Sequence, residues 1–210
     1  MIDAPAAAPA AILGVARDRA NLVTLPGLVC AVLGIYGALL QQPHLGAALL
    51  GLALLADMLD GVVARAEPGR AAYLARAGGR LDALCDVVHG GVQPGILLTA
   101  VGGISPFTVL ASLALAVCSV IRLSSFSTFG PNADASYKGV PVIFNSLAGC
   151  LCVATSRPPA TAAVFAAILV LLAILNVSNL RIPKLKGGSL LAFNGLCAGS
   201  VGVNLHLWLA

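Results

Sequence analysis

The chain has 210 residues, of which 59% are hydrophobic and 10% charged, with a formal net charge of +4 and a mean hydropathy of +0.98. Values this far from those of soluble domains exclude an ordinary globular protein and indicate an integral membrane protein. Few aromatic and many small residues favour closely packed helices over a β-barrel, and the length fits about seven spans of ~20 residues.

In chain order, residues 1–20 form an Ala/Pro-rich tail ending in ILGVARDRA. No cationic start precedes an apolar run, so no cleaved signal peptide is expected. The first span runs from about Leu22 to Leu40, and the second from Leu45 to Arg65, ending at Pro68-Gly69. The third covers Gly79 to Ala100, the fourth Ser105 to Ser124, the fifth Val140 to Ser156 and the sixth Ala160 to Val177. A seventh, from Leu190 to Leu209, is diluted by Asn194, Asn204 and His206. The expected fold is an all-α polytopic membrane helical bundle: a cytoplasmic tail (1–20), a six-span core (21–187) and an additional C-terminal span (188–210).

The charges orient it. If the spans alternate, Arg17, Arg19, Arg65, Arg70, Arg76, Arg80, Arg122, Lys138, Arg181, Lys184 and Lys186 fall on one side and Arg157 alone on the other. The positive-inside rule makes the first side cytoplasmic.

Four aspartates lie at that side. Asp57 and Asp60 are three apart and Asp82 and Asp86 four apart, so each pair shares a helix face near the cytoplasmic end of adjacent spans. A charge within a span costs at least ~2.5 to 3.5 kcal/mol on insertion scales and is usually functional. Four clustered carboxylates repel unless cations neutralise them, and oxygen-only ligands point to Mg²⁺ or Mn²⁺. Gly61 leaves backbone open to a ligand, and Arg65, one turn on, can grip a phosphate bidentately. The combination points to metal-assisted chemistry on a phosphate. His89 lies one turn beyond Asp86 and can line the same pocket. Arg122 and Lys138 can hold an anionic group of a second substrate. The six cysteines lack ligand spacing and read as packing residues. A transporter would also carry intramembrane acids, but typically at the midplane. A noncatalytic lipid-binding subunit would be expected to lose such costly charges.

The order DxxDGxxAR followed by GxxxDxxxD resembles the signature of the CDP-alcohol phosphotransferases. Asp57, Asp60, Gly61, Ala64, Arg65, Gly78, Asp82 and Asp86 match it. The gap from Ala66 to Ala77 is twelve residues where the family usually has about eight; the excess of about one helical turn falls at the Pro68-Gly69 connection. Within the family, NLVTLPGLVCAVLG from Asn21, LDALCDVVHGGVQPGILL from Leu81, RLSSF from Arg122, YKGVP from Tyr137 and LNVSNLRIPKLKG from Leu175 resemble bacterial phosphatidylserine synthases. Those usually carry Ser where Ala83 stands, Ser-Phe at His89-Gly90, and commonly Phe-x-Gly-Leu-Pro at YKGVP. The donor half therefore matches better than the acceptor half.

The resemblance implies a membrane enzyme that transfers a phosphatidyl group from CDP-diacylglycerol to the hydroxyl of L-serine and releases CMP. Inositol phosphate, glycerol phosphate or another amino alcohol are the alternative acceptors. It implies two Mg²⁺ or Mn²⁺ ions on Asp57, Asp60, Asp82 and Asp86, with Asp86 also taking the acceptor proton. Gly61, Ala64, Arg65, Gly78, Asn21 and Thr24 would bind the donor nucleotide and phosphates, and His89, Arg122 and Lys138 the acceptor. A bacterial inner-membrane location, a site facing the cytoplasm and a homodimer are expected, and no nucleic-acid partner.

Overall fold

The structure is a computed structural model describing residues 13–67, 69–134, 136–156 and 161–210. The tail before Leu13, Pro68 of the Pro68-Gly69 connection and the single outward cation Arg157 lie outside the described residues. A short α1 (Leu13–Ala16) leads into α2 (Asn21–Leu39) and α3 (Pro43–Ala66). Next, α4 (Ala72–Asp86), a π-helical segment (Val87–Val92) and α5 (Gln93–Gly102) follow without a break. The chain continues through α6 (Pro106–Phe129), α7 (Ile143–Ala154), α8 (Thr161–Asn176) and α9 (Gly187–Leu209). Among the described residues, five stretches are long and apolar enough to cross a membrane: α2, α3, α4 to α5, α6 and α9. The apolar α7 and α8 are shorter, at 12 and 16 residues.

A polytopic α-helical bundle is thus what the chain forms, and each expected span coincides with a helix. The largest boundary difference is in the third, expected from Gly79 but helical from Ala72. Its first turns are amphipathic: Arg76 and Arg80 lie four apart on an exposed face while Gly78, Cys85 and Asp86 are buried. Polar residues therefore extend the helix instead of ending it. Ser105 caps α6, its hydroxyl accepting from the Thr108 N–H while Thr108 accepts from the Ser105 N–H, with Pro106 in the first turn.

α5 lies centrally, touching α2, α3, α6, α7 and α8. The main apolar core joins Leu50, Leu97, Leu98, Leu115, Phe165 and Leu169 around it. On α3, Ala47 and Leu50 of this core precede Asp57 by ten and seven residues, ~10–15 Å along the axis. The apolar half of the bundle is therefore distinct from the acidic half. α9 docks on α3 and α7, with Leu54, Leu147, Phe193 and Cys197 packed together and the Phe144 and Phe193 rings 5.4 Å apart. Asn204, which dilutes the seventh span in sequence, is buried and donates to the Cys150 and Ser200 carbonyls at 3.1 and 2.9 Å. Its oxygen lies 3.1 Å from His44 Nδ1, so these polar groups bind helices to one another within an apolar surround.

At the acidic end, β1 (Tyr137–Lys138) pairs antiparallel with β2 (Arg181–Ile182), Tyr137 opposite Ile182. This pairing ties the segment after α6 to the segment after α8.

Candidate functional site

Asp57 and Asp60 stand in the last turns of α3, Asp82 and Asp86 in the last turns of α4, immediately before the π-helical segment. Pro94 explains where that segment forms. It has no N–H to donate, which frees the carbonyls four and five residues back, those of Gly90 and His89. Both are satisfied from α7: Asn145 Nδ2 donates to Gly90 O at 3.0 Å, and Ser146 Oγ donates to His89 O at 3.1 Å. Asn145 also donates to Ser119 Oγ at 3.1 Å; with the Asn176 amide oriented to satisfy its neighbours, Ser119 donates on to it at 3.2 Å and Asn176 donates to Leu172 and Val140 carbonyls. Gly90 permits this approach, because a Cβ there would stand 3.0 Å from the Val142 Cβ and 3.1 Å from its carbonyl oxygen. The phenylalanine usual in the resembling synthases has no room at this position.

The four carboxylates converge. Ligand atoms of Asp57, Asp60 and Asp82 lie within 4.8 Å of one another, as do those of Asp57, Asp86 and His89. Asp57 belongs to both sets. Asp60 and Asp86 are buried, and the Thr24 hydroxyl, from α2, donates to Asp60 Oδ2. His89, 2% exposed, has Nε2 3.1 Å from Asp86 Oδ1 and 3.9 Å from Asp57 Oδ1. Neither His89 Nε2 nor Asp86 Oδ1 has the alignment of a hydrogen bond, so both are buried atoms without a hydrogen-bond partner.

All four aspartates face a cavity of about 230 Å³ that is also lined by Gly61, Arg65, Arg122, Phe126, Tyr137 and Lys184. The Arg65 guanidinium folds over Gly61, its Nη1 3.2 Å from where a Cβ would be, so any side chain at 61 would push the cation aside. Arg122 is 8% exposed, with its Nε lacking a partner and its guanidinium 5.3 Å from the Phe126 ring centre and 6.0 Å from that of Tyr137. The rings hold the cation by cation–π attraction without neutralising it. Burial raises the Tyr137 phenol above its ordinary value, with Arg122 opposing, so the side chain is neutral at physiological pH. Arg122 also lines a second cavity of about 410 Å³, which Lys138 borders.

The expected residues thus divide. Asp57, Asp60, Asp82, Asp86, Gly61, Arg65 and Arg122 share one cavity, and Lys138 faces the adjoining one. Asn21, Thr24, Ala64, Gly78 and His89 are not on the first cavity's wall. Thr24 and His89 stand behind the aspartates; Asn21 donates to Val15 O at 2.8 Å. Phe126, Tyr137 and Lys184 line the cavity without having been singled out as site residues, although they lie in the RLSSF, YKGVP and LNVSNLRIPKLKG segments.

Asp18 and Arg70 were also missed. Their bidentate ion pair, with Nε to Oδ1 at 3.1 Å, has side chains 1% and 12% exposed, and the guanidinium passes over Gly78. It ties the segment before α2 to the start of α4. Removing one member of a buried pair strands the other, so Arg70→Ala is expected to destabilise the solubilised protein by about 3–5 kcal/mol in thermal or denaturant unfolding. Arg181→Ala, which breaks an exposed 3.6 Å pair with Asp134, is expected to give no measurable change.

Two overlapping carboxylate-rich sets sharing Asp57, one of them with a buried Asp86 oxygen that has no hydrogen-bond partner, are a fit for divalent cations, whose charge would relieve the repulsion.

Against known protein families, residues 18–194 match the model described as CDP-alcohol phosphatidyltransferase. The chain belongs to this family of enzymes. It is similar to the CDP-diacylglycerol--serine O-phosphatidyltransferase of Helicobacter pylori, 28% identical over 174 residues covering 79% of this chain and 72% of that relative. The protein of the same name from Mycobacterium leprae is 36% identical over 118 residues, 53% of this chain and 38% of that relative. The phosphatidylinositol phosphate synthase of Mycolicibacterium smegmatis is 38% identical over 104 residues, 48% of this chain and 45% of that relative. The chain therefore spans less than half the length of two of these relatives. Divalent metal is general in the family, in keeping with the acidic sets here.

Proposed function

We infer that this chain transfers a phosphatidyl group from CDP-diacylglycerol to the hydroxyl of L-serine and releases CMP. The observation that carries the reading is the convergence of four aspartates, Arg65 and Arg122 on one cavity at one end of a membrane bundle. Asp57, Asp60, Asp82 and Asp86 would hold Mg²⁺ or Mn²⁺, which supplies charge that stabilises the departing CMP and polarises the β-phosphorus. Arg65, on the open side of the cavity, pairs with a donor phosphate. Asp86 takes the proton from the acceptor hydroxyl as it attacks phosphorus. Apolar walls from Phe144, Leu185 and Leu190 limit water at the reacting centre. The clustering of cations at this end supports a cytoplasm-facing site in a bacterial inner membrane. Small-residue helix faces allow a homodimer.

The two serine-named relatives support serine. A second reading, transfer to inositol phosphate, rests on the buried Arg122 cation, whose Nε has no hydrogen-bond partner among the described residues, with Lys138 on the adjoining cavity, and on the mycobacterial inositol phosphate synthase relative.

CMP release by the purified protein with CDP-diacylglycerol and Mg²⁺ or Mn²⁺ tests both, with L-serine set against inositol phosphate and glycerol phosphate. Serine-dependent release is expected; release with inositol phosphate alone overturns serine, and release with no alcohol overturns the activity. Arg122→Ala is expected to raise the acceptor KM roughly tenfold or more, the scale of a lost charge-assisted hydrogen bond. An unchanged acceptor KM removes Arg122 from the acceptor site.

A further inference from the structure

His89 stands where the resembling synthases usually carry serine, and the bundle presents it in a particular way. Ser146 has one hydroxyl proton, donated to His89 O at 3.1 Å. The same oxygen lies 3.0 Å from His89 Nδ1; with its proton given to the carbonyl, which can only accept, it accepts from the ring, and on that ground the proton is assigned to Nδ1. A neutral ring then has its lone pair on Nε2. That atom is buried, has no hydrogen-bond partner and is aimed at Asp86 and Asp57, 3.1 and 3.9 Å away. An imidazole whose Nδ1–H is fixed by a partner while Nε2 faces carboxylates has the arrangement of a metal-ligating histidine.

We propose that His89 Nε2 is a nitrogen ligand to the divalent ion held by Asp57 and Asp86, so that this chain's second metal position is a mixed nitrogen and oxygen site. This rests on the metal-dependent reading above and deepens it. The consequence is selectivity. Mg²⁺ favours all-oxygen surroundings, whereas an imidazole suits transition ions, so Mn²⁺ is favoured over Mg²⁺ at this position more than four aspartates alone would achieve. Ser146 is a positioning residue, setting the tautomer and the ring plane. The π-helical turn and Gly90 give the ring its place, since they let α7 approach closely enough for Ser146 to reach it.

The test uses tag-free full-length protein in detergent, loaded with Mn²⁺ and examined by pulsed electron paramagnetic resonance. Wild-type protein is expected to show ¹⁴N coupling to Mn²⁺ that is replaced by ¹⁵N coupling when histidine alone is ¹⁵N-labelled. The chain has three histidines. His44 is thirteen residues before Asp57 on the same helix, ~20 Å away, and His206 lies in the far half of α9, so the label reports His89. His89→Asn keeps a donor for Ser146 but has no Nε2. It is expected to lose the coupling and to lower the ratio of Mn²⁺ to Mg²⁺ affinity roughly tenfold, the low end for disturbing a ligand set. Mn²⁺ bound without histidine nitrogen coupling overturns the ligand assignment and leaves the metal centre standing; an imidazolium paired with Asp86 gives that result. No Mn²⁺ binding at all overturns both. Should His89→Asn fail to fold, the labelled wild type still decides.

Discussion

Asp86→Asn is expected to reduce CMP release by roughly 10³-fold or more while leaving CDP-diacylglycerol affinity within a few-fold of wild type, the upper range for loss of a general base. The asymmetry follows from position. Asp86 belongs to the set with Asp57 and His89 and not to the set of Asp57, Asp60 and Asp82. The donor contacts proposed for Arg65 and Gly61 are on the other helix, α3. Asparagine keeps the shape and one oxygen ligand but cannot take a proton. Its neighbour cannot substitute readily, because His89 is enclosed behind Asp86, 2% exposed and absent from the cavity wall. Turnover within tenfold of wild type would remove Asp86 as the base. Donor binding lost in parallel would make it a structural or metal-holding residue alone. The two readouts, CMP release and equilibrium donor binding, therefore separate three roles for one side chain.

How far the sequence reaches is clearest at the aspartates. Spacings of three and four residues place each pair on one helix face whatever the tertiary structure, because helical periodicity alone decides it. The hydropathy of each span, the small residues and the cations gathered at one end are equally local, so the bundle and its acidic end were legible. Tyr137 and Lys184 were not, because they reach the cavity only through the pairing of Tyr137 with Ile182, a contact between segments more than forty residues apart. Asp18 with Arg70 is of the same kind: Arg70 reads only as an orienting cation until α1, α2 and α4 meet and bring it against Asp18. The sequence did place His89 near Asp86, but as a pocket-lining residue. What rotates it behind the aspartates is the π-helical turn, whose cause is Pro94 together with side chains of α7 that no local pattern connects to it. Asn21 and Thr24 were legible as polar residues at the start of a span. Their partners, Val15 O and Asp60, are set by packing.

The sharing of Asp57 by both sets gives the second large effect. Asp57→Asn takes away the negative charge that both sets share and is expected to abolish stoichiometric binding of both divalent ions and to lower CMP release by roughly 10³-fold or more, whereas Asp60→Asn weakens one set only and leaves the position bounded by Asp57, Asp86 and His89. Stability supplies an independent sign. Without metal, at a pH high enough to ionise the whole cluster, four neighbouring carboxylates repel, so removing one charge from the centre of the cluster raises the unfolding temperature above that of wild type. With Mn²⁺ at a hundredfold excess over its Kd, wild type gains about 2.7 kcal/mol per bound ion by linkage, and the variant, binding none, gains nothing. The order of thermal stabilities is therefore expected to invert on adding Mn²⁺. Measuring unfolding temperature with and without metal for wild type, Asp57→Asn and Asp60→Asn reads this directly. A variant at Asp57 that is less stable than wild type in the absence of metal, or equally stabilised by Mn²⁺, would mean that the carboxylate is held for packing and not for a cation. An Asp60→Asn protein that binds no metal would show that the two positions fill only together.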